Sequence, residues 1–539
     1  MAVAVDEGDF RSLYGPKVVY GPDRPEEILA LLRGVDAGLR ARLAPGRQLK
    51  IMLYAHGGRV SHDDAVTSAQ TIAPGALADG YAPIFLIWNS DMWDSYGQRL
   101  CCVLDGRKSR RGAPYFVPTR LAGDIGAGVA RAPEHWGAQV LRFWDSVVRT
   151  GGTAYYLSPD DPSRLDDLFW GGGQAHVFYP ALEDGPPRPG WSDILNAADR
   201  PVAEHAPVYQ LLFPVRLATT GLSEVGAADW DDMVRRTRLA VQPTLTVITP
   251  APAAAEPRLA EERPPEDPCE ARTREALSGI ARLAMKAKSA SGEALRIEHE
   301  GGFAIFMLHL ACEIHRGFGV EGVTADDIQL DFYGHSMGAF VGDEIISAHP
   351  DLPWRRIVYM AAADSLRDAR VYLAPLLACA GTGPRDHCLG GEAHFWGLML
   401  HPLAESHDLE ASPALPEGSL LEWIDELFAG PVSIDDRRFG KWTNVEEGLA
   451  FFGRDARARM YFRVFPAQDK LRGSKYPDER DLYARQCGAA PGGVNPAPPR
   501  CHPIVHGEFT NYSFWRDKFL CDGGEHGADG ADCASDPRP

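Results

Sequence analysis

The chain has 539 residues, with 55 Lys+Arg against 74 Asp+Glu and a formal net charge of −19. A hydrophobic content of 45% and a charged content of 24% are those of a folded protein and exclude a wholly disordered, collagen-like or coiled-coil chain. The acidic balance argues against nucleic-acid binding, because phosphate neutralisation needs a basic surface, and the one compact basic run, Arg107-Lys108-Ser109-Arg110-Arg111, reads as a solvated loop.

At roughly 150 residues per domain the length corresponds to about three to four domain equivalents, or to one α/β core carrying long insertions. The N-terminal residues Met1 to Asp9 have neither a basic region nor an apolar core, so no signal peptide is expected and the default location is cytoplasmic, with signal-less export left open. In chain order, Lys17 to Tyr20 reads as a strand. Pro25 to Leu43 reads as a helix burying Ile28, Leu29, Leu31, Leu32 and Val35. Ile51 to Ala55 and Ile84 to Trp88 are strand-length apolar runs, the first ending at Gly57-Gly58.

A long segment follows, residues 89–301. It contains a helix over Trp136 to Arg149, a glycine-rich turn at Gly123 to Gly128 entering a helix, and a Pro/Ala/Glu-rich linker at about 249–268. The strongest apolar run of the chain, Phe303 to Cys312, has the length of a buried helix and falls well short of the roughly 18–20 residues that cross a bilayer. Then come the strands Ile328 to Tyr333 and Ile357 to Ala363. In the second long segment, residues 365–459, the runs Phe395 to Leu400 and Leu420 to Ile424 are expected to form helices of a lid or cap. Met460 to Phe465 is a further strand, and residues 522–539 form a Gly/Asp-rich tail.

Strands apolar on both faces that alternate with helical segments predict an α/β fold, a doubly wound and mostly parallel sheet with two long, mainly helical insertions. The domain reading is core from 1–88, 302–364 and 460–521, insertions at 89–301 and 365–459, and the tail. The ten cysteines form no CxxC pair and no HExxH is present, so no metal and no cofactor is expected. Free, partly buried thiols are the favoured reading. Cys379/Cys388, Cys487/Cys501 and Cys521/Cys533 could bridge if the chain were exported.

The sharpest local signal is Gly334-His335-Ser336-Met337-Gly338, preceded by Leu330-Asp-Phe-Tyr333 and followed by the helical stretch Ala339 to Ile346. A serine in a tight strand-to-helix turn, with glycines two positions to either side, resembles the nucleophile elbow of the α/β-hydrolase family. The resemblance covers about half of the chain in pieces, strongest over residues 49–90 and 328–365. It implies a serine hydrolase that attacks a carboxylic ester, of small-molecule or lipid class, through Ser336. The oxyanion hole would be formed by the Met337 N–H with Gly57 or Gly58, whose loop His56-Gly57-Gly58 follows the Ile51 strand. Arg59 stands where esterases of the family often have a further glycine.

In the family order of serine, acid and histidine, Asp469 past Met460 to Phe465 is the first candidate acid and Asp364 past Ile357 to Ala363 the alternative. His506, followed by Gly507 to Trp515, is the candidate base. His56, His335, Trp88 and Asn89 are pocket candidates, whereas His62-Asp63-Asp64 reads as the start of a helix. The stretch Gln486 to Pro503 is crowded with Gly and Pro, so the family's last strand would be short or absent there. The reading from a different class is a non-catalytic protein of this fold whose insertions bind a protein or a membrane. Oligomeric state is not legible in the chain.

Overall fold

The computed structural model describes residues 1–6, 9–15, 17–20, 24–91, 95–97, 117–150, 223–242, 245–248, 267–277, 296–299, 301–378, 393–400, 418–429, 433–465 and 505–520, with short pieces between them. The chain divides into two compact units. The first comprises Met1–Arg120, Asp231–Ile357 and Cys379–Ala393, and the second Leu121–Trp230, Val358–Ala378 and His394–Pro539.

In the first unit the strands β1 (Ala2–Asp6), β2 (Asp9–Arg11), β3 (Val19–Tyr20), β4 (Leu49–Ala55), β5 (Tyr81–Trp88) and β11 (Ile328–His335) lie in the order β3-β2-β1-β5-β4-β11. The pairs β1/β5, β5/β4 and β4/β11 are parallel, and the outer β1/β2 and β2/β3 pairs are antiparallel. Every residue of β5 and β11 is buried, as in a parallel sheet covered on both faces, which is why these strands read as unbroken apolar runs rather than alternating ones. The antiparallel pairs β6/β7 (Val103–Leu104, Arg107–Lys108) and β9/β10 (Leu245–Ile248, Arg296–His299) also belong to this unit.

The division between the units falls within β12 (Trp354–Met360), and Pro353, just before it, accepts the Leu330 N–H of β11 on its carbonyl at 3.0 Å. In the second unit Ala361 donates to the Leu398 carbonyl at 2.8 Å. There β13 (His394–Leu400) is parallel to β14 (Met460–Phe465), and β8 (Val177–Phe178) closes the edge antiparallel. The fold is therefore α/β with a mixed, mostly parallel sheet.

Helices α1 (Pro25–Arg40), α2 (His62–Ala78), α3 (Val117–Thr150), α4 (Ser223–Val241), α5 (Gly302–His315), α6 (Gly338–Ala348) and α7 (Leu366–Tyr372) accompany the strands. Proline enters α1 at its first turn, where its missing N–H costs no helical bond, and Ser61 caps α2 by accepting the Asp64 N–H at 3.2 Å. No helix among the described residues is long and apolar enough to cross a membrane.

Five features depart from the sequence reading. Residues 2–6, given no element there, form β1 between β2 and β5. Leu31 is 37% exposed while Ile28, Leu29, Leu32, Val35 and Leu39 make the buried face of α1. The glycines of Gly123 to Gly128 lie inside α3, not at its entry. Phe395 to Leu400 is a strand, not a lid helix: so short an apolar run has no resolvable period, and here it is buried against β14 with Trp396 stacked on Tyr461 at 4.5 Å. Finally, Cys269 and Cys312 form a disulfide, where free thiols were favoured. The other candidate cysteine pairs, residues 249–266 of the expected linker and the tail 522–539 lie outside the described residues.

That disulfide joins the helical residues 268–277 to α5. Beside it, His309 bridges α1 and residues 268–277. Its Nε2 is 2.8 Å from Asp36 Oδ2 and its Nδ1 3.0 Å from Thr273 Oγ1, which itself donates to the Cys269 carbonyl at 2.7 Å. With the hydroxyl proton committed to that carbonyl, Nδ1 donates to Thr273 Oγ1 and Nε2 faces the Asp36 carboxylate, an arrangement that favours the charged ring. Burial opposes its charge, but Asp36 and Glu313 outweigh burial and raise the imidazole pKa. Glu313 is in turn bonded by Arg40 at 3.1 Å. The Asp36, His309 and Glu313 group has the spacing of metal ligands, yet its bonding is that of a buried ion-pair knot.

Candidate active site

The turn between β11 and α6 places Ser336 at a backbone φ of +50°, in the left-handed region that side chains avoid. The flanking glycines are fixed by contact. A Cβ on Gly334 would stand 2.9 Å from the backbone of Gly338, and one on Gly338 would run into the Ala55 carbonyl oxygen at the end of β4. The strand arrives, turns within one residue and leaves as a helix only because both positions lack a side chain. The Ala339 N–H bonds the Ser336 carbonyl at 3.1 Å and the Phe340 N–H bonds the Met337 carbonyl at 3.2 Å. The N–H groups of Met337 and Gly338 therefore precede the first helical bonds, at the positive end of α6.

The loop after β4 lies against this turn. A Cβ on Gly57 would stand 2.8 Å from His335 Nδ1 and 3.2 Å from Ser336 Cβ, and one on Gly58 would stand 2.5 Å from Met337 Sδ. The loop is held from below. The Gly57 carbonyl accepts from Ser90 Oγ at 3.0 Å and from His56 Nδ1 at 2.7 Å, and Arg59 N–H donates to the Ser90 carbonyl at 2.9 Å. Because a trans peptide sets its C=O and N–H antiparallel, a Gly57 carbonyl turned to Ser90 sends the Gly58 N–H to the opposite side. Arg59 carries φ +59°, the conformation a glycine would adopt without strain.

His56 Nε2 accepts the Trp88 backbone N–H at 3.2 Å, so its proton sits on Nδ1, and the ring stacks on the Trp88 indole at 3.8 Å. Burial lowers its pKa to about 4, leaving a neutral imidazole whose two nitrogens are both spent on backbone. The Trp88 indole N–H is spent on Thr237 Oγ1 at 3.1 Å, and Arg236 Nη1 donates to the Asn89 carbonyl at 3.2 Å. Of the pocket candidates, His56 and Trp88 thus brace the loop, and His335 is 8% exposed beside Gly57. Ser90, absent from the sequence reading, is the brace nearest the loop. Its only signal was a small polar residue two positions beyond an apolar strand.

Ser336, Met337, Gly57, Gly58, His56, His335, Trp88 and Asn89 all belong to the first unit, while Asp364 and His506 belong to the second. Asp364 is fully buried in the turn that follows β12. His506 opens the short helix His506–Asn511 and is 3% exposed, and Phe509 and Phe519 pack on Phe465 at the end of β14 with ring centroids 5.7 and 5.1 Å apart. Asp469 lies outside the described residues. Chemically, the first unit offers a serine in a left-handed turn beside the helix-start N–H groups of Met337 and Gly338, and the second a buried carboxyl after β12 and a buried imidazole. No protein-family model, no curated protein and no solved structure matches the chain.

Proposed function

We propose that the chain is an α/β-hydrolase-type serine hydrolase that cleaves a carboxylic ester through an acyl-enzyme. The observation that carries this reading is the left-handed Ser336 at the end of a buried parallel strand, with Gly57 packed against its Cβ. Strain of that kind costs about 1–3 kcal/mol and persists where the surrounding contacts impose it, as they do in nucleophile elbows.

Ser336 Oγ attacks the acyl carbon while His506 accepts the hydroxyl proton. The oxyanion accepts from the N–H groups of Met337 and of the Gly57-Gly58 loop. Collapse breaks the ester C–O bond as His506 returns the proton to the leaving alcohol, and water then repeats the sequence on the acyl-enzyme. Asp364, fully buried in the turn after β12, is taken as the carboxylate that holds the imidazole, with Asp469 as the alternative. No cofactor takes part in these steps.

The experiment is steady-state hydrolysis of short- and long-chain p-nitrophenyl esters by the wild type, Ser336→Ala and His506→Gln. The expected result is a loss of at least about 10³-fold in kcat for both variants with unchanged folding. Equal turnover by all three proteins would remove the hydrolase reading.

A further inference from the structure

The turn that carries Asp364 is bound along its length to a second segment. The Ala362 carbonyl accepts the Gly440 N–H at 2.8 Å, the Asp364 carbonyl accepts the Phe439 N–H at 2.9 Å, and the Leu366 N–H donates to the Arg437 carbonyl at 3.0 Å. Between these backbone bonds the Arg438 guanidinium donates from Nη1 to the Ala363 carbonyl at 2.9 Å. The approach is so close that a Cβ on Gly440 would overlap the backbone of Ala361 and Ala362. Ala361, at the head of the turn, carries φ +44°, so the segment is held in a conformation its residue types do not favour.

Arg438 is itself fixed from the far side. Asp425, in the π-helical turn Ile424–Phe428, accepts the Arg438 backbone N–H on Oδ1 at 2.9 Å, and its Oδ1 lies 3.4 Å from Arg438 Nε. Asn444 Nδ2 spans the same pair, 2.7 Å from Asp425 Oδ2 and 2.9 Å from the Arg438 carbonyl. Lys441 pairs with Glu422 and stands 3.7 Å from Asp425. Arg438, Asp425, Lys441, Asn444 and Glu422 are all less than 9% exposed. Burial opposes the Lys441 charge, but Glu422, Asp425 and Glu426 outweigh it and keep the ammonium protonated.

Two buried cations and two buried carboxylates are a poor way to gain stability, since apolar residues of the same volume generally do as well or better. What such a cluster provides is direction: Asp425 and Asn444 hold the backbone N–H and carbonyl of Arg438, and its guanidinium reaches the Ala363 carbonyl beside Asp364 and the Asp436 carbonyl. Resting on Asp364 as the acid of the proposed hydrolase, we infer that Arg438, locked by Asp425 and Asn444, is a positioning residue that sets the aim of the Asp364 carboxylate toward the catalytic imidazole. The segment expected to cover the site as a lid thus supplies the frame of its acid.

The test uses the full chain and compares wild type, Arg438→Lys, Asn444→Ser and Asp364→Asn, reading kcat and KM for p-nitrophenyl butyrate across pH together with thermal unfolding. Arg438→Lys keeps the buried charge and loses the bond to the Ala363 carbonyl. It is expected to lower kcat by about 10- to 100-fold with KM unchanged, as a misplaced catalytic group does. It also moves the acid limb of kcat/KM to lower pH, because a poorly aimed carboxylate stabilises the imidazolium less. Asn444→Ser, which leaves no charge unpaired, shifts both quantities in the same direction by a smaller amount and serves if Arg438→Lys does not fold. A purely structural role would lower the melting temperature without moving that limb. Inactive Asp364→Asn together with wild-type kcat and pH profile in the folded variants overturns the inference and leaves Asp364 as the acid. Full activity in Asp364→Asn overturns the acid assignment and the inference with it.

Discussion

Ser336, at φ +50°, and Gly57, where an added Cβ would stand 3.2 Å from Ser336 Cβ, are the single residues on which the proposed chemistry turns. If the turn strains the serine, glycine should suit the position better than alanine, which keeps a Cβ in the left-handed region. Ser336→Gly is expected to unfold at higher denaturant than Ser336→Ala, by roughly 1 kcal/mol, in equilibrium urea titrations, both being inactive. A stability order reversed between the two would mean that the turn is relaxed. Gly57→Ala places a methyl within 2.8 Å of His335 Nδ1 and pushes the loop off the elbow. Its ester turnover should fall by about 10²-fold or more, the loss typical of one oxyanion donor, at a melting temperature near that of the wild type. The glycines and the serine were legible because turn sterics leave few other residue types. Ser90 and Arg438 were not, because each works through a carbonyl of a residue distant in sequence, and nothing in their neighbourhood marks the partner.

At the scale of elements, the knot of α1, α5 and residues 268–277 makes separate claims on stability. The imidazolium of His309 faces Asp36 from α1 and Glu313 from its own helix, with Arg40 on Glu313 and Thr273 on the other ring nitrogen. Its folded pKa is raised, so the ion pair stabilises fully below the unfolded imidazole value of about 6.5 and is lost as pH rises through the folded value. Asp36→Asn should therefore destabilise by roughly 3 kcal/mol at pH 6, and the gap to wild type should narrow at alkaline pH in thermal melts. A gap constant across pH would assign the bond to a neutral imidazole. Reducing the Cys269–Cys312 bridge, which closes a separation of 43 residues, should cost about 2–4 kcal/mol and expose residues 268–277 to limited proteolysis. Long or strongly patterned elements were legible: the Phe303 run is the core of α5, and the runs at Ile51, Ile84, Ile328 and Met460 are strands, whereas the strand expected over Ile357 to Ala363 runs from Trp354 to Met360 and leaves Ala361 to Ala363 in the turn after it. Phe395 to Leu400 was misjudged because a short run buried on both faces has the same appearance in a strand and in a helix. The 269–312 bridge escaped notice because cysteines far apart in sequence carry no pairing signal.

Over the whole molecule, the alternation of buried runs and helical segments was enough to give the α/β class, and the Gly334 to Gly338 motif enough to locate a strand-turn-helix with a left-handed serine. The roles of the long segments were not legible, since composition says that 365–459 is apolar and not whether it covers a site or builds one. The central claim of the proposed hydrolase is that Ser336 is an activated nucleophile. The most direct measurement is reaction of the purified chain with a fluorophosphonate, read by intact mass for wild type and Ser336→Ala. The account predicts one adduct per wild-type chain and none on Ser336→Ala. A folded wild-type protein that takes no adduct, or an adduct that survives in Ser336→Ala, would contradict it and turn attention to the chain as a binding protein.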